Sequence, residues 1–329
     1  MNDSSPRPAP HCPLTGMAMR PWLTVPADWR RPGATAPSGG WRLWWSDAGD
    51  FGQIHPRPEP DQVSTFYQLD SYYTHDTNRG LARSRKLAER LRVGLAARLD
   101  RGVQPGPAYW PGVVPPGAGL GLEIGTGNGD RMRELAPLIG RVLGLEPDPK
   151  ACETARSKGL EVLPGTAEAM PAEITAHRYD FILFAHVLEH CLDPMLALRN
   201  AADLLAPGGV LLLETPNNAA RGLSQQGAHW HWLDVPRHLN FFTEASLRAF
   251  AAGAGLQVTG CEYWGYVRQF LPEWLATQAD IAARMEGRAT AAPSDLARQT
   301  RQAWGLLGRT ALAGRAAKYD SVRLICRKA

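Results

Sequence analysis

Short apolar runs alternate with segments of helical character from about residue 118 to the end of the chain. Runs such as GLGLEI, RVLGLE, YDFILFA and VLLLET are separated by stretches rich in alanine, leucine and arginine. A short continuous apolar run is typical of a strand that is buried on both faces. Such strands alternating with helices predict a doubly wound α/β sheet, which strongly limits the possible folds.

Capping residues indicate where some of these helices begin and end. Asp193 precedes Pro194 and is expected to cap a helix that begins there, and Thr243 is expected to cap the helix TEASLRAFAAGAG. The first of these helices is predicted to end at the glycines of LAPGG. A helical insertion is predicted over about 266–316, and SVRLICRKA is predicted to form the last strand.

The chain before residue 118 is predicted to be less regular. Residues 1–60 are interpreted as an irregular or flexible arm, because the first 40 are rich in proline, glycine and serine and the rest show no clear periodicity. Residues 61–117 are interpreted as a helical lid or linker. Leucines recur there at every fourth position, as on an amphipathic helix: Leu87, Leu91, Leu95 and Leu99.

Composition and charge narrow the class of protein. Charged residues make up 21% and hydrophobic residues 44% of the 329, which is ordinary for a globular chain. The net charge of +4 is spread along the sequence and predicts no nucleic-acid partner. No apolar run reaches the ~20 residues of a membrane span, and the N-terminus lacks a secretory pattern. Five scattered cysteines favour reduced thiols and a cytoplasmic location.

Eleven tryptophans are unusual, and several cluster in WRLWWSD and HWHWLD. Two interpretations stay open for these clusters, namely core packing and an aromatic-lined substrate cleft. On the second interpretation, Trp232 is a candidate substrate contact.

The segment LEIGTGNGD follows the first predicted strand of the sheet and opens a helix. Its glycines, Gly125, Gly127 and Gly129, let the backbone turn tightly and approach a ligand closely. The next predicted strand ends in Glu146, 17 residues beyond Gly129. A carboxylate at that point can accept both hydroxyl groups of a ribose, and a helix N-terminal charge is the alternative role. The spacing and strand order favour the ribose role.

The segment FAHVLEHCLDP contains His186, Glu189 and His190 in the order H-x-x-E-H, which also occurs in zinc peptidases. A zinc site of that kind needs both histidines on one face of a helix. Here the pattern falls at the end of an apolar strand and in the turn before Pro194. The sequence therefore disfavours a zinc peptidase and places these residues where open α/β sheets bind ligands.

Taken in order, these motifs resemble those of class I S-adenosylmethionine-dependent methyltransferases over roughly residues 118–329. LEIGTGNGD is similar to the family's first motif, GTAEAMP to its adenine-flanking segment, FAHVLEHCLDP to its fourth-strand segment, and LLAPGGVLLLETPN to its fifth-strand motif. The resemblance implies a mostly parallel seven-stranded sheet and S-adenosylmethionine as cofactor. It implies these cofactor-binding residues: Glu123, Gly125, Thr126, Gly127, Gly129, Glu146, Pro147, Ala167, Glu168, Ala185 and His186.

The segment DVPRHLNFFTEASL is similar to a substrate-wall motif of methyltransferases that act in sugar, glycan and small-molecule biosynthesis. By this resemblance His238 is a candidate catalytic residue and Arg237 is a candidate substrate contact. The resemblance of FAHVLEHCLDP likewise makes His190 a candidate catalytic residue. A histidine can act as general base because its pKa lies near neutrality. Structural roles are the alternatives: capping or packing for His190, support of the loop for His238, and pairing with Asp234 for Arg237.

The N-terminal arm resembles a degenerate form of the small zinc ribbon that begins many of these relatives. HCPLTG keeps only one cysteine of the family's first pair, so no metal site is predicted there. His11, Cys12 and His55 are the residues left for an unusual one. STFYQLDSYYTH is similar to an aromatic segment of the relatives, in which Tyr72 and Tyr73 are predicted to cover the cofactor and contact substrate.

The sequence therefore predicts a cytoplasmic enzyme that transfers a methyl group from S-adenosylmethionine to a small-molecule or carbohydrate-linked acceptor. A module of the same fold that binds the cofactor without transferring the methyl group is the main alternative. A nicotinamide-dependent oxidoreductase is a weaker one, because the glycine loop is not G-x-G-x-x-G. The methyl-accepting atom and the oligomeric state do not follow from the sequence.

Overall fold

Two sheets organise the fold, one of seven strands and one of four. The computed structural model describes residues 9–31, 36–67 and 87–328. Its strands are β1 (Arg20–Val25), β2 (Trp41–Ser46), β3 (Phe51–Ile54), β4 (Leu120–Ile124), β5 (Arg141–Glu146), β6 (Glu161–Pro164), β7 (Tyr179–Ala185), β8 (Leu205–Pro216), β9 (Asn240–Phe242), β10 (Leu256–Trp264) and β11 (Ser321–Lys328).

The seven-stranded sheet has the strand order β10-β11-β8-β7-β4-β5-β6. Within it β11 runs antiparallel to both of its neighbours, whereas β6, β5, β4, β7 and β8 pair in parallel. This arrangement confirms the predicted fold class, including the final antiparallel strand. The carboxyl ends of β4, β5 and β7 therefore meet at one edge, the place where a ligand is expected.

The central strand β7 shows why its sequence is continuously apolar. Ile182 and Phe184 pack in one hydrophobic cluster, while Phe181 and Leu183 pack in another. Successive side chains of a strand point to opposite faces of the sheet, so these clusters lie on its two sides. All four side chains have no exposed surface. The absence of polar residues at these positions follows from burial on both faces.

The helices surround these sheets. They are α1 (Pro60–Thr65), α2 (Leu87–Leu99), α3 (Asp130–Leu135), α4 (Pro149–Ser157), α5 (Ala172–Thr175), α6 (Pro194–Leu204), α7 (Arg221–Gln226), α8 (Glu244–Gly253), α9 (Pro272–Met285), α10 (Pro293–Thr310) and α11 (Arg315–Lys318). Helices α9 and α10 form the predicted insertion before the last strand. Among the residues that the structure describes, no helix has the length and apolar character needed to cross a membrane.

The predicted capping residues occupy their expected positions, but one helix end was predicted wrongly. The carboxylate of Asp193 accepts hydrogen bonds from two backbone N–H groups of α6, and Thr243 forms a capping box with Ser246 at the start of α8. Helix α6 ends at Leu204, before the glycines of LAPGG, which lie inside β8. The chain passes directly into the strand there because Leu205 already pairs with β7.

The four-stranded sheet was not anticipated from the sequence. Its strand order is β1-β2-β3-β9 and all its pairings are antiparallel. The expectation of irregular structure is therefore wrong for 20–25 and 41–54, although the predicted domain boundary itself stays a prediction. Strand β9 comes from the segment DVPRHLNFF, so this sheet joins the N-terminal region to the chain that carries His238.

Helix α2 forms as predicted, but only two of its four repeating leucines, Leu95 and Leu99, pack against the core. Leu87 and Leu91 are 80% and 56% exposed, whereas Arg92 and Ala96 are buried. The guanidinium group of Arg92 donates a hydrogen bond to the carbonyl oxygen of Phe270. The face that packs on the core thus contains Arg92 and Ala96 together with Leu95 and Leu99, and the leucine repeat identified only part of it.

Candidate active site

The loop between β4 and α3 has the backbone conformation that only glycine adopts without strain. Gly125, Gly127 and Gly129 have φ angles of +70°, +57° and +82°. A Cβ atom on Gly125 would lie 2.3 Å from a methyl group of Val187, and one on Gly129 would lie 2.2 Å from a methyl group of Leu160. The loop is therefore packed tightly against the turn that follows β7 and against Leu160, the residue before β6.

Glu123 lies at the carboxyl end of β4, directly before this loop. Its side chain is buried, and its Oε2 atom has no hydrogen-bond partner. Burial raises the pKa of this carboxyl group to about 8, although the nearby Arg131 opposes the shift. A buried polar oxygen without a partner carries a substantial desolvation cost, which a bound ligand can relieve. Glu123 is thus a candidate contact for a polar, cationic group.

Glu146 ends β5 and faces the same loop. Its Oε2 atom accepts a hydrogen bond from the backbone N–H of Gly127 at 2.7 Å, and its Oε1 atom accepts one from the N–H of Asp148 at 2.9 Å. Each carboxylate oxygen can accept more than one hydrogen bond, so ribose hydroxyl groups can still bind. The position agrees with the predicted ribose role.

Glu168, predicted to flank the adenine, contacts the backbone beyond β7. Its Oε1 atom accepts hydrogen bonds from the N–H groups of Leu192 at 2.8 Å and Asp193 at 3.4 Å. Ala167 is buried just before it, and its carbonyl oxygen accepts a hydrogen bond from Asn200. The predicted adenine-flanking segment is therefore connected directly to the turn that carries His190.

His186 follows the last residue of β7 and has φ of +59°, which is uncommon for a residue with a side chain. Its Nδ1 atom lies 3.2 Å from Oε1 of Glu189, and its Nε2 atom lies 3.1 Å from Oε1 of Glu214. Burial alone would lower the pKa of His186, but these two carboxylates outweigh it and raise the pKa. The left-handed backbone and the two buried partners hold this imidazole at the ligand-binding edge of the sheet.

His190 and His238 lie together although they are far apart in the chain. His190 contacts the carbonyl oxygen of Arg237, 47 positions further along and directly before His238, through its Nδ1 atom at 3.1 Å. Their ring centroids are 4.6 Å apart and nearly perpendicular. Burial lowers the pKa of both; the pKa of His238, with a further contribution from His190, falls to about 4. Both imidazoles are therefore neutral near pH 7, and each has one ring nitrogen without a proton.

The tautomer of His238 follows from its hydrogen bond. Its Nδ1 atom lies 2.8 Å from the carbonyl oxygen of Trp232, and a carbonyl can only accept, so Nδ1 carries the proton. The Nε2 atom then has a free lone pair. His190 contacts the hydroxyl group of Tyr67 at 2.7 Å through Nδ1. Tyr67 was missed from the sequence, because nothing local connects it to a histidine 123 residues away.

Glu189 completes this cluster. Donor atoms of Glu189, His190 and His238 all lie within 4.8 Å of one another, and among the described parts of the chain this is the one such group of three. The Oε2 atom of Glu189 is buried without a hydrogen-bond partner. Two neutral imidazoles and a carboxylate are also a donor set that divalent cations accept. The same side chains therefore permit proton transfer or cation binding.

An aromatic and cationic wall lies beside His186. The ring of Trp232 stacks on the imidazole of His186 with centroids 5.1 Å apart and an interplanar angle of 8°. The guanidinium group of Arg268 lies over Trp232 at 4.7 Å and over Trp264 at 4.2 Å, and it pairs with Asp320. The role of Trp232 as a substrate contact stays a prediction. Trp264 and Arg268 were missed because their segment carries no recognisable motif.

A family model described as a methyltransferase domain matches residues 86–260, which is more than half of the chain. The chain belongs to the methyltransferase domain family. This membership confirms the predicted enzyme class and its cofactor, S-adenosylmethionine, and it agrees with the glycine loop and the strand order described above.

Curated relatives of this methyltransferase are partial matches. A ubiquinone biosynthesis O-methyltransferase of Caulobacter sp. (strain K31) is 36% identical over 151 residues, covering 42% of this chain and 60% of the relative. One of Azorhizobium caulinodans is 29% identical over 181 residues, covering 51% of this chain and 70% of the relative. The match to the Caulobacter protein thus spans less than two thirds of that protein's length.

Solved structures with a similar fold share little sequence with this methyltransferase. The N-methyltransferase NodS from Bradyrhizobium japonicum, in complex with S-adenosylhomocysteine, is 17% identical with a TM-score of 0.42, covering 82% of this chain and 97% of that one. The [4+2]-cyclase SpnF is 18% identical with a TM-score of 0.45, covering 77% and 84%.

One predicted site residue of this methyltransferase has a structural role instead. Arg237 has no exposed surface, and its guanidinium group donates hydrogen bonds to both carboxylate oxygens of Asp28 and to Oδ1 of Asp234. These partners use the hydrogen-bond donors of the buried guanidinium group. The predicted contact between Arg237 and substrate is therefore wrong, and the alternative, pairing with Asp234, is observed.

Other predicted residues are not brought to the site. Tyr72 and Tyr73 lie outside the described residues. Within the described chain His11, Cys12 and His55 do not form a metal-type cluster: Cys12 is buried, His11 is exposed and His55 contacts Trp44. The five cysteines are all free thiols.

Proposed function

We propose that this chain transfers the methyl group of S-adenosylmethionine to a hydroxyl oxygen of a small-molecule acceptor. Family membership supplies the reaction class. The observation that carries the choice of chemistry is the buried pair of neutral imidazoles, His190 and His238, next to the end of β7. A hydroxyl group needs a base as it attacks, whereas an amine that is already deprotonated needs only alignment.

In the proposed complex the cofactor occupies the edge formed by β4, β5 and β7. The carboxylate of Glu146 accepts hydrogen bonds from the ribose hydroxyl groups. The Oε2 atom of Glu123, which has no hydrogen-bond partner in the protein, faces the cationic amino end of the cofactor. The neighbouring positions predicted to line the cofactor keep that proposed role: Gly125, Thr126, Gly127, Gly129, Pro147, Ala167, Glu168, Ala185 and His186. These groups hold the sulfonium so that an acceptor approaches in line with its S–CH3 bond.

His238 is the proposed general base. As the acceptor oxygen attacks, the new O–CH3 bond forms, the CH3–S bond breaks and S-adenosylhomocysteine leaves. The hydroxyl proton passes to Nε2 of His238, which is free because Nδ1 donates to Trp232. Burial of the histidine pair keeps water from competing for the methyl group.

The acceptor class draws on the relatives. Proteins named as ubiquinone biosynthesis O-methyltransferases support an oxygen acceptor, and the aromatic rings grouped around His186 suit a flat, aromatic one. A carbohydrate-linked acceptor is the second candidate, because DVPRHLNFF is similar to a motif of glycan-pathway methyltransferases. A binding module without transfer is the third.

Calorimetry with S-adenosylhomocysteine tests the first part of this proposal. We expect saturable binding by the wild type, much weaker binding by Glu146→Ala, and unchanged binding by Glu161→Ala, whose exposed carboxylate pairs with Arg141 at the surface. Absence of binding by folded wild-type protein would contradict the proposal.

Methyl transfer from isotope-labelled cofactor to a panel of phenols, catechols, sugars and amines tests the second part. We expect label on a phenol or catechol oxygen and a large loss of transfer in His238→Gln. Cofactor binding without transfer to any acceptor would favour the binding module. Loss of transfer on treatment with a chelator, restored by a divalent cation, would assign the Glu189–His190–His238 cluster to cation binding in place of proton transfer.

A further inference from the structure

The turn between β7 and α6, residues 186–193, is held through its backbone by the four-stranded sheet. The backbone N–H of Leu239 donates a hydrogen bond to the carbonyl oxygen of Glu189 at 2.7 Å. The side-chain amide of Asn240 donates to the carbonyl oxygen of Cys191 at 2.7 Å and to that of Leu188 at 3.3 Å. Three carbonyl groups of the turn that carries His190 thus accept hydrogen bonds from Leu239 and Asn240, the two residues after His238.

Arg57 also connects this turn to β9, through its side chain. Its Nη1 atom donates to the carbonyl oxygen of Leu239 at 2.8 Å and to Oδ1 of Asn240 at 3.0 Å. Its Nη2 atom donates to the carbonyl oxygens of Cys191 at 3.0 Å and Leu192 at 2.5 Å. One planar guanidinium group therefore binds the segment after His190 with one nitrogen and the segment after His238 with the other.

The partners of Arg57 are unusual for a largely buried cation. All four acceptors are neutral oxygens, and burial lowers the pKa of Arg57 to about 10. The carboxylates of Asp193 and Glu168 oppose this shift from nearby without accepting its hydrogen bonds, so burial of the charge still disfavours stability. The planar, five-donor geometry of arginine nevertheless allows it to fix several acceptors in one plane, which lysine cannot do. The contacts of this side chain thus favour precise placement of two segments over general stabilisation.

The position of Arg57 in the sequence adds a second argument. It lies three residues beyond the end of β3, and neither it nor β1–β3 falls within the range 86–260 that matches the methyltransferase family model. The two histidines, in contrast, both fall inside that range. The N-terminal region of this chain therefore reaches into the part of the methyltransferase domain where the reaction is proposed to occur.

We propose that Arg57 is a positioning residue that sets the spacing of His190 and His238, so that the four-stranded sheet is part of the active-site framework. This inference rests on the proposed function, because it assigns these histidines to the reaction. Arg57 touches neither cofactor nor acceptor on this view. It acts by keeping the turn after β7 and the start of β9 in register, and a displacement of about 1 Å there is enough to reduce turnover about 100-fold.

The test compares wild type with Arg57→Lys, Arg57→Gln and the control Arg20→Gln. Arg20 lies in the same four-stranded sheet, but its ion pair with Asp47 is exposed. Each protein is treated with diethyl pyrocarbonate, and the modification rate of each histidine is followed by peptide mass spectrometry. Exposed His11 serves as the internal reference. Affinity for S-adenosylhomocysteine is measured in parallel.

We expect His190 and His238 to react severalfold faster in both Arg57 variants while His11 and the cofactor affinity stay unchanged. With a responsive acceptor, kcat should fall about 100-fold with little change in KM for the cofactor, and added guanidinium ion should partly restore Arg57→Gln. Arg57→Lys keeps the charge, so it reports on geometry even if Arg57→Gln folds poorly.

Unchanged histidine reactivity in a folded Arg57→Lys, or equal effects in Arg20→Gln, would overturn the proposal. The histidine mapping needs no acceptor. A wild type that binds S-adenosylhomocysteine but methylates nothing would therefore defeat the proposed function without deciding the role of Arg57, which the reactivity of His190 and His238 decides separately.

Discussion

The two sheets of this methyltransferase are built on different principles. The seven-stranded sheet buries both faces, and its central strand β7 places Phe181 and Phe184 in clusters on opposite sides. The four-stranded sheet is short, and it is linked to the rest of the chain by buried polar contacts from Asp28 and Arg57 as well as by packing. The larger sheet should therefore respond most to lost apolar volume, and the smaller one to lost charge and hydrogen bonds.

The largest expected effect tests the apolar side of this comparison. Phe184→Ala removes a fully buried ring from β7 and should lower the free energy of unfolding by about 3–5 kcal/mol, through lost burial and the cavity left behind. Urea denaturation followed by far-UV circular dichroism measures the change. Leu196→Ala, at a 42% exposed position of α6, is the control and should have little effect. Equal losses in the two variants would contradict the contrast between core and surface.

The second-largest effect on stability tests the buried polar contacts of the four-stranded sheet. Asp28→Asn removes a carboxylate that accepts two hydrogen bonds from fully buried Arg237, at 2.7 and 2.9 Å. We expect a loss of about 3 kcal/mol, since a buried guanidinium group then keeps only one carboxylate partner. The same denaturation experiment measures it, with Asp47→Asn as the exposed counterpart. A loss too small to resolve would show that packing alone holds the four-stranded sheet.

A smaller effect is expected in the pH dependence of stability, through the carboxyl group of Asp234. Burial would raise the pKa of Asp234, but Arg237 and Arg30 outweigh it and hold the pKa well below the ordinary value of 3.8. A depressed folded-state pKa contributes stability that is fully present above the unfolded-state pKa and is lost as the pH falls below it. We therefore expect the stability difference between wild type and Asp234→Asn to be constant from pH 7 to 5 and to shrink below about pH 4. A difference that stays constant down to pH 3 would contradict this assignment.

The smallest effect is expected at the outer strand of the four-stranded sheet. Arg20 and Asp47 form an ion pair at 2.8 Å, but both side chains are more than half exposed. Solvent and salt screen such pairs, so Arg20→Gln should leave the thermal midpoint unchanged within error. A clear drop in the midpoint would mean that this edge contributes more than the comparison allows.

The two sheets also differ in how well they could be predicted from the sequence. Strands β4, β5, β7 and β8 can be recognised in the sequence, because burial on both faces makes each of them a continuous apolar run. Strand β2 does not, because the tryptophans of WRLWWS occupy both of its faces and hide the alternation expected of a half-buried strand. Strand β9 is three residues long, and its pairing with β3 joins Gln53 to Asn240 across 187 residues. No local pattern carries such a pairing.

The candidate site divides in a similar way. Gly125, Gly127 and Gly129 were predictable because their left-handed backbone needs glycine and their order along the chain is a motif. The motif containing Arg237 marked the right segment but not the right role, because the partner Asp28 lies 209 residues away. Tyr67 lies in the segment STFYQLDSYYTH, which was marked for Tyr72 and Tyr73, but its contact with His190 was not foreseen.

The sequence by itself determined the parallel sheet, the glycine loop, Glu146 and the turn that carries His190, because each depends on a short stretch of chain and its local physical chemistry. Only the tertiary structure decided that His190 meets His238, that Arg237 is buried among carboxylates, and that Arg57 joins the two histidine segments. These contacts connect residues far apart in the chain. Their energies depend on burial and distance, which exist only once the chain has folded.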